Sequence, residues 1–127
     1  AALRFADWLL RWQDSDGAWP LTVDVDGNVV MPVIGPGDVP NIGIALLRLF
    51  HIQQDRRYLQ AANATVRYSL TVQAVPHSDH PYTDDLHVRW GFWSWQPHYD
   101  YTLSGDQSTH HTRGMWFLID YLQACPP

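Results

Sequence analysis

The sequence predicts an all-α fold of antiparallel helical hairpins, with long loops and one small β-hairpin. Three observations predict it. Four stretches carry apolar residues at helical spacing, and one stretch alternates around a tight-turn dipeptide. The helical stretches also overlay on one another at a separation of about 60 residues.

The first helix is expected over 1–13, where Ala2, Ala6, Leu9 and Leu10 form one apolar stripe and Phe5, Trp8 and Trp12 a second on the opposite side. Two stripes imply a helix covered on both faces. Asp16-Gly17 and Pro20 stop it, and "LTVDVDGNVV" alternates around Asp26-Gly27 as a hairpin does. "DVDGN" resembles a calcium loop only superficially, because its glycine comes early and no Glu closes it. In the rigid run "GPGDVP", Asp38 is placed to cap a second helix over 40–54, with Pro40 in the first turn and Ile42, Ala45, Leu46 and Leu49 inside.

Asp55 caps a third helix over 56–73, with Tyr58, Leu59, Ala62, Val66, Tyr68 and Leu70 at its apolar positions. A loop of about thirty-five residues follows, longer than the connections usual in compact domains. Ser108 or Thr109 is then placed to cap a fourth helix over 110–124, where Met115, Leu118, Ile119 and Leu122 keep the period and Trp116 and Phe117 widen it. This helix is expected to be buried nearly all round. Overlaying "ADWLLRWQ" on "TVRYSLTVQ" sets Trp8 opposite Tyr68 and Gln13 opposite Gln73, and Gly43 pairs with Gly114. The pattern is a twofold repeat of stacked hairpins.

The 127 residues bound a single domain, and 46% hydrophobic with 17% charged residues is the usage of a folded chain. A net charge of −5 with dispersed arginines argues against a nucleic-acid face. No apolar run reaches the length of about 20 residues that a membrane span needs, and no signal peptide opens the chain, so a soluble protein is expected with its compartment open. All eight basic residues are Arg and all thirteen acidic residues Asp. That excludes Schiff-base and P-loop lysines, and any carboxylate acid, base or nucleophile must be Asp. The one cysteine, Cys125, forms no internal disulfide.

"WLLRWQDSDGAW" followed by a loop and then "ALLRLFHIQQDRRYLQAANATVRYSL" resembles the α/α-toroid (six-hairpin) carbohydrate-active proteins: glycosidases, polysaccharide lyases and sugar epimerases. The resemblance covers about two thirds of the chain and is one of fold. Trp8, Leu9, Gln13, Gly17 and Trp19 are also similar to the QW motif of triterpene cyclases, with Arg4 and Ala6 near its basic and small positions and Phe5 departing from it. In those enzymes the motif ties helix ends together and is not catalytic, and nothing here resembles their acidic motif. Two hairpins do not close a toroid. Residues 1–127 are therefore expected to be one partial toroid domain, a fragment or C-terminal region completed by the rest of a longer chain or another protomer.

The resemblance implies that the loop before the fourth helix lies at the barrel mouth, where substrate binds. There Trp90, Trp93, Trp95 and Tyr101, with His98 beside them, are candidate sugar-binding residues, since aromatic rings stack on the apolar faces of sugars. The alternative is that Trp90, Phe92 and Trp95 fill a small core beneath the loop. His110, His111 and Arg113 are expected in the first helical turn, where free N–H groups and the dipole favour an anion such as a uronate carboxylate. His110, His111, Asp106 and Tyr99 are the candidate catalytic residues, Arg113 the anion binder. Ordinary helix capping with exposed histidines is the alternative.

"HSDHPYTDDLH" offers His77, His80, Asp84, Asp85 and His87 as a weak divalent-metal possibility, though such a run is more often simply solvated. No cofactor is otherwise expected. The expected function is part of a carbohydrate-active enzyme acting on a polysaccharide, uronate-containing or neutral, by elimination, epimerisation or hydrolysis. In the first two, a His or Tyr moves the proton α to the carboxylate while Arg113 neutralises it; in hydrolysis, an Asp pair including Asp106 serves. The other expectation is a non-catalytic carbohydrate-binding or protein-interaction module.

Overall fold

The computed structural model describes residues 2–77, 82–94 and 102–124. In chain order the elements are α1 (Ala2–Trp12), β1 (Thr22–Val23), β2 (Val29–Met31), α2 (Asp38–Gln53), α3 (Arg56–Thr71) and α4 (Gly105–Ala124). The chain is mostly helical, with a single two-stranded antiparallel sheet among the described residues.

Short-range chemistry sets the α2–α3 joint. Gln54 takes a left-handed backbone, φ 56°, that ends α2 and returns its N–H to Phe50 O at 2.7 Å. The Asp55 carboxylate then accepts the Arg57 N–H at 2.9 Å, capping α3 as expected. With so short a turn the two helices run antiparallel, and Gly43 lets α2 approach the Thr65 side chain closely.

Cross-helix contacts fix the remaining directions. Arg57 reaches Asp7 at 3.5 Å near the start of α3, and Gln13 reaches Ala61 O one turn further along, so α1 and α3 run parallel. Asn41 meets His110 near the starts of α2 and α4, and Phe50 meets Tyr121 edge-on near their ends, so that pair is parallel too. The C-terminal ends of α1 and α3 therefore lie at the same end of the array as the N-terminal ends of α2 and α4. Both long connections, 13–37 and 72–104, leave from that end.

The core lies between the helices: Ala6, Leu9, Val39, Leu46, Phe50, Tyr58, Ala62, Tyr68 and Val72 are buried, with Trp19 and Phe92 closing it at the loop end. The hairpin pairs Thr22 with Met31 and Val23 with Val29, and Gly27 carries a positive φ at its turn. There Asp24 accepts from the Asp26 and Asn28 backbone N–H groups and the Asn28 amide, which hold its carboxyl below the usual range.

Four expectations are corrected. The second stripe of α1 is not covered, since Phe5 is 60% exposed and stacks only on exposed Trp8, 5.7 Å away. Nor is α4 buried all round; His111 is its only buried residue among those described, and Trp116 is 64% exposed. Periodicity identifies an apolar face but not whether a partner covers it. Gly37, not Asp38, is the N-cap of α2, without a side-chain bond. Finally, α4 begins at Gly105, five residues early. Ser108 and Thr109 therefore do not cap it but lie inside the helix, where the Thr109 hydroxyl bonds back to Gly105 O and the Ser108 hydroxyl accepts the Phe92 N–H.

Candidate functional site

A glutamine fastens each long connection. After α1, Gln13 Nε2 donates to Gly17 O and Ala61 O, both at 3.0 Å, clamping the turn onto α3. Trp19 folds back beneath it, its indole N–H donating to Leu9 O at 2.8 Å. Gly17 has φ +99°, and a Cβ there would overlap the Ala64 carbonyl, so the joint demands glycine. After α3, Gln73 occupies the corresponding place and bridges Phe92. Trp90-Gly91-Phe92 returns against it much as Gly17-Ala18-Trp19 returns against Gln13: Gln73 Nε2 donates to Trp90 O as Gln13 Nε2 does to Gly17 O, Ala74 N–H donates to Gly91 O as Asp14 N–H does to Ala18 O, and Trp90 takes the positive φ that Gly17 takes. The second joint holds a much longer insertion between its glutamine and the left-handed residue that closes it.

That insertion concentrates backbone strain. Of the described non-glycine residues with positive φ, His77, Tyr82 and Trp90 lie in it, and only Gln54 lies elsewhere. Trp90 has φ 68° and is 60% exposed. Its N–H donates to Ala74 O at 2.8 Å and its carbonyl accepts from Gln73 Nε2 at 3.3 Å. A left-handed backbone at a bulky residue costs on the order of 1–3 kcal/mol and persists only where its surroundings enforce it. Here the bonds on both sides fix the Trp90 backbone, and its indole is left exposed.

Beside this segment the first turns of α4 carry a polar chain. The Asn41 amide nitrogen donates to Gly37 O at 3.2 Å, which fixes which way the amide points. Its other proton therefore goes to His110 Nδ1, also 3.2 Å away. With Nδ1 accepting, the proton of His110 sits on Nε2, which faces Asp106 Oδ1 at 3.3 Å.

The adjacent His111 has the opposite tautomer. Ser69 Oγ donates to Thr65 O at 3.0 Å, so its oxygen accepts from His111 Nδ1 at 2.8 Å. His111 Nε2 then carries a bare lone pair, fully buried, with no partner among the described residues. The ring stacks on Phe92 at 4.4 Å and 10°. Burial, with His110 beside it, pushes its pKa down to about 4.

On its outer side α4 bears a depression of about 440 Å³ lined by Ser108, Thr109, Thr112, Arg113, Trp116 and Phe117. The guanidinium groups of Arg48 and Arg113 lie 5.4 and 5.8 Å from the centre of the Phe117 ring.

The early start of α4 moves three predicted residues. His110, His111 and Arg113 lie in its second and third turns, not at its free N–H groups, so the helix terminus supplies no anion pocket for them. His110 and Asp106 are brought together; His111 is turned inward and Arg113 outward. Trp93 is 1% exposed and supports the loop from beneath, whereas Trp90 is presented to solvent. Trp95, His98, Tyr99 and Tyr101 lie outside the described residues, as does His80. His77 pairs with Asp84 at 3.1 Å on the surface, and Asp85 accepts the His87 N–H at 2.8 Å. Among the described residues no three His, Cys, Asp or Glu side chains converge as a metal site would require.

Sequence reasoning missed Asn41 and Ser69, which orient the two histidines from other helices, because nothing local marks a contact 69 or 42 residues away. Tyr82 and Trp116, both largely exposed, were also missed as surface aromatics. No helix among the described residues is long and apolar enough to cross a membrane. No family model matches the chain, and comparisons with curated proteins and with solved structures find no match.

Proposed function

We propose that this chain is part of an α/α-toroid carbohydrate-active enzyme and supplies one sector of its substrate site. The observation that carries the reading is Trp90: an exposed indole held in a strained backbone, at the end of the array where the Asp106–His110–Asn41 chain also lies. Backbone strain enforced by flanking bonds clusters at functional sites. An exposed indole on a fixed backbone suits the apolar face of a sugar ring.

The polar chain supports one reaction class over another. Asp106 contacts an imidazole, the pairing of an oriented proton carrier rather than of two carboxylates flanking a glycosidic bond. Asp106 fixes the Nε2–H tautomer of His110, and Nδ1 becomes the proton acceptor once substrate displaces the Asn41 amide. That favours elimination or epimerisation of a uronate-containing polysaccharide over hydrolysis, with exposed Arg113 available to the carboxylate. The experiment compares the intact protein with His110→Ala and Asp106→Asn on a uronic-acid polymer and a neutral glycan. Loss of His110 should lower kcat by about 10²–10⁴-fold, the usual worth of a positioned general base. Unchanged turnover in both variants would remove the proposal.

A second reading, a non-catalytic glycan-binding face, is favoured by the engagement of both His110 ring nitrogens and the burial of His111. Binding through Trp90 without turnover in the intact protein would select it.

A further inference from the structure

Two helices and the second joint meet at His111. Its Nδ1–H bonds to Ser69 of α3, its backbone belongs to α4, and its ring lies flat on Phe92 of the returning segment Gly91–Ser94. The backbone bonds from that segment to α3, α4 and the residues after it include Ala74 N–H to Gly91 O at 2.8 Å, Trp93 N–H to Val72 O at 2.9 Å, Phe92 N–H to Ser108 Oγ at 3.3 Å and Ser94 N–H to Thr102 O at 2.9 Å. The His111–Phe92 stack is an apolar contact between this segment and α4, beside the burial of Phe92 and Trp93 themselves. We propose that His111 is a pH-sensitive latch: neutral, it holds the Gly91–Ser94 segment shut, and protonated at Nε2, it releases that segment and the Trp90 it carries.

The chemistry follows from the surroundings. A proton arriving at Nε2 finds no acceptor among the described residues, and the ring is fully buried. On the α3 side stand Ser69 and Thr65, which are not titratable; on the loop side stands Phe92; on α4 the neighbouring titratable group is His110, whose charge would only oppose a second one. Stacking an imidazolium on Phe92 returns a cation–π attraction, but that is smaller than the loss of hydration for a buried unpaired charge. The favourable course is to expose the ring, and local opening of one segment achieves this without unfolding the helices. The latch regulates the site proposed above, yet it is a property of folding and can be measured without substrate.

The test follows amide hydrogen exchange, corrected for its intrinsic pH dependence, between pH 7 and 4 in the wild-type protein and in His111→Phe. The latch predicts that protection of the Ala74 and Trp93 amides falls by about tenfold per pH unit below the ordinary histidine range. Protection of the α2–α3 core amides should stay level at first, and the Phe variant should lose the pH dependence. Equal pH dependence in both proteins, or none in the wild type, overturns the latch. If the Phe variant does not fold, NMR titration of His111 in the wild type decides. An imidazole that titrates at lowered pH together with loss of the two amides supports the latch; one that titrates as a free histidine, with both amides still protected, overturns it.

Discussion

The two joints that close the helical repeat use the same parts to different ends. In the first, three residues separate Gln13 from Gly17, and the glutamine, the left-handed glycine and the buried Trp19 lock α1, α3 and the following loop together. In the second, Gln73 and Trp90, the counterpart of Gly17, are separated by a long strained insertion; Gln73 spends its amide on Trp90 O, and Phe92 rests on a buried histidine. One joint is a fastener. The other is looser and leaves Trp90 exposed, and the proposed sugar site rests on that difference.

Glycine replacement should separate them most strongly. Gly17→Ala meets both the Ala64 carbonyl and a positive φ and should destabilise by about 2–5 kcal/mol in urea denaturation. Gly91, the counterpart of Ala18, has no such φ, and a Cβ there meets Leu103 side-chain carbons at 3.2–3.3 Å and Val88 O at 3.2 Å, so Gly91→Ala should cost about 1 kcal/mol or less. Equal losses would mean that the joints are mechanically alike.

Between pH 6.5 and 4, acid should weaken the second joint through His111. His111 has its folded pKa depressed to about 4, so between its ordinary value of 6.5 and pH 4 the unfolded chain binds more protons. Its contribution is therefore intact above pH 6.5 and is lost as pH falls toward 4, on the order of 3 kcal/mol in all. Denaturation midpoints measured across that window should show the loss in the wild type, and His111→Phe should flatten it.

Smaller differences are expected from the glutamines. Gln13→Ala removes two bonds, one to a carbonyl of another helix, and should cost about 1–3 kcal/mol. Gln73→Ala removes one long, exposed bond and should cost about 0.5 kcal/mol. Smallest is Trp90→Gly, which relieves the left-handed backbone and should be neutral or stabilising by up to about 1 kcal/mol by thermal denaturation.

Much of this contrast was legible in the sequence, but not its functional half. The helices, the Asp55 cap, the Asp26-Gly27 turn and the in-phase Gln13 and Gln73 all follow from local period and turn chemistry. The start of α4 did not, because Ser and Thr serve equally as caps or as residues bonded back to their own helix. Nor could adjacent His110 and His111 be told apart. Successive helical residues point about 100° apart, and only the packed positions of Asn41 and Ser69 decide that one faces α2 and the other α3.

The most direct measurement is glycan binding to the intact protein, by calorimetry, for wild type, Trp90→Ala and Trp19→Phe, with a uronic-acid oligomer and a neutral one. If the second joint presents a sugar site while the first is only a fastener, Trp90→Ala should weaken uronate binding by about 1–3 kcal/mol at unchanged stability. Trp19→Phe should then lower stability, through loss of the bond to Leu9 O, and leave affinity alone. Affinity unaffected by Trp90→Ala, or reduced equally by both changes, would contradict the assignment.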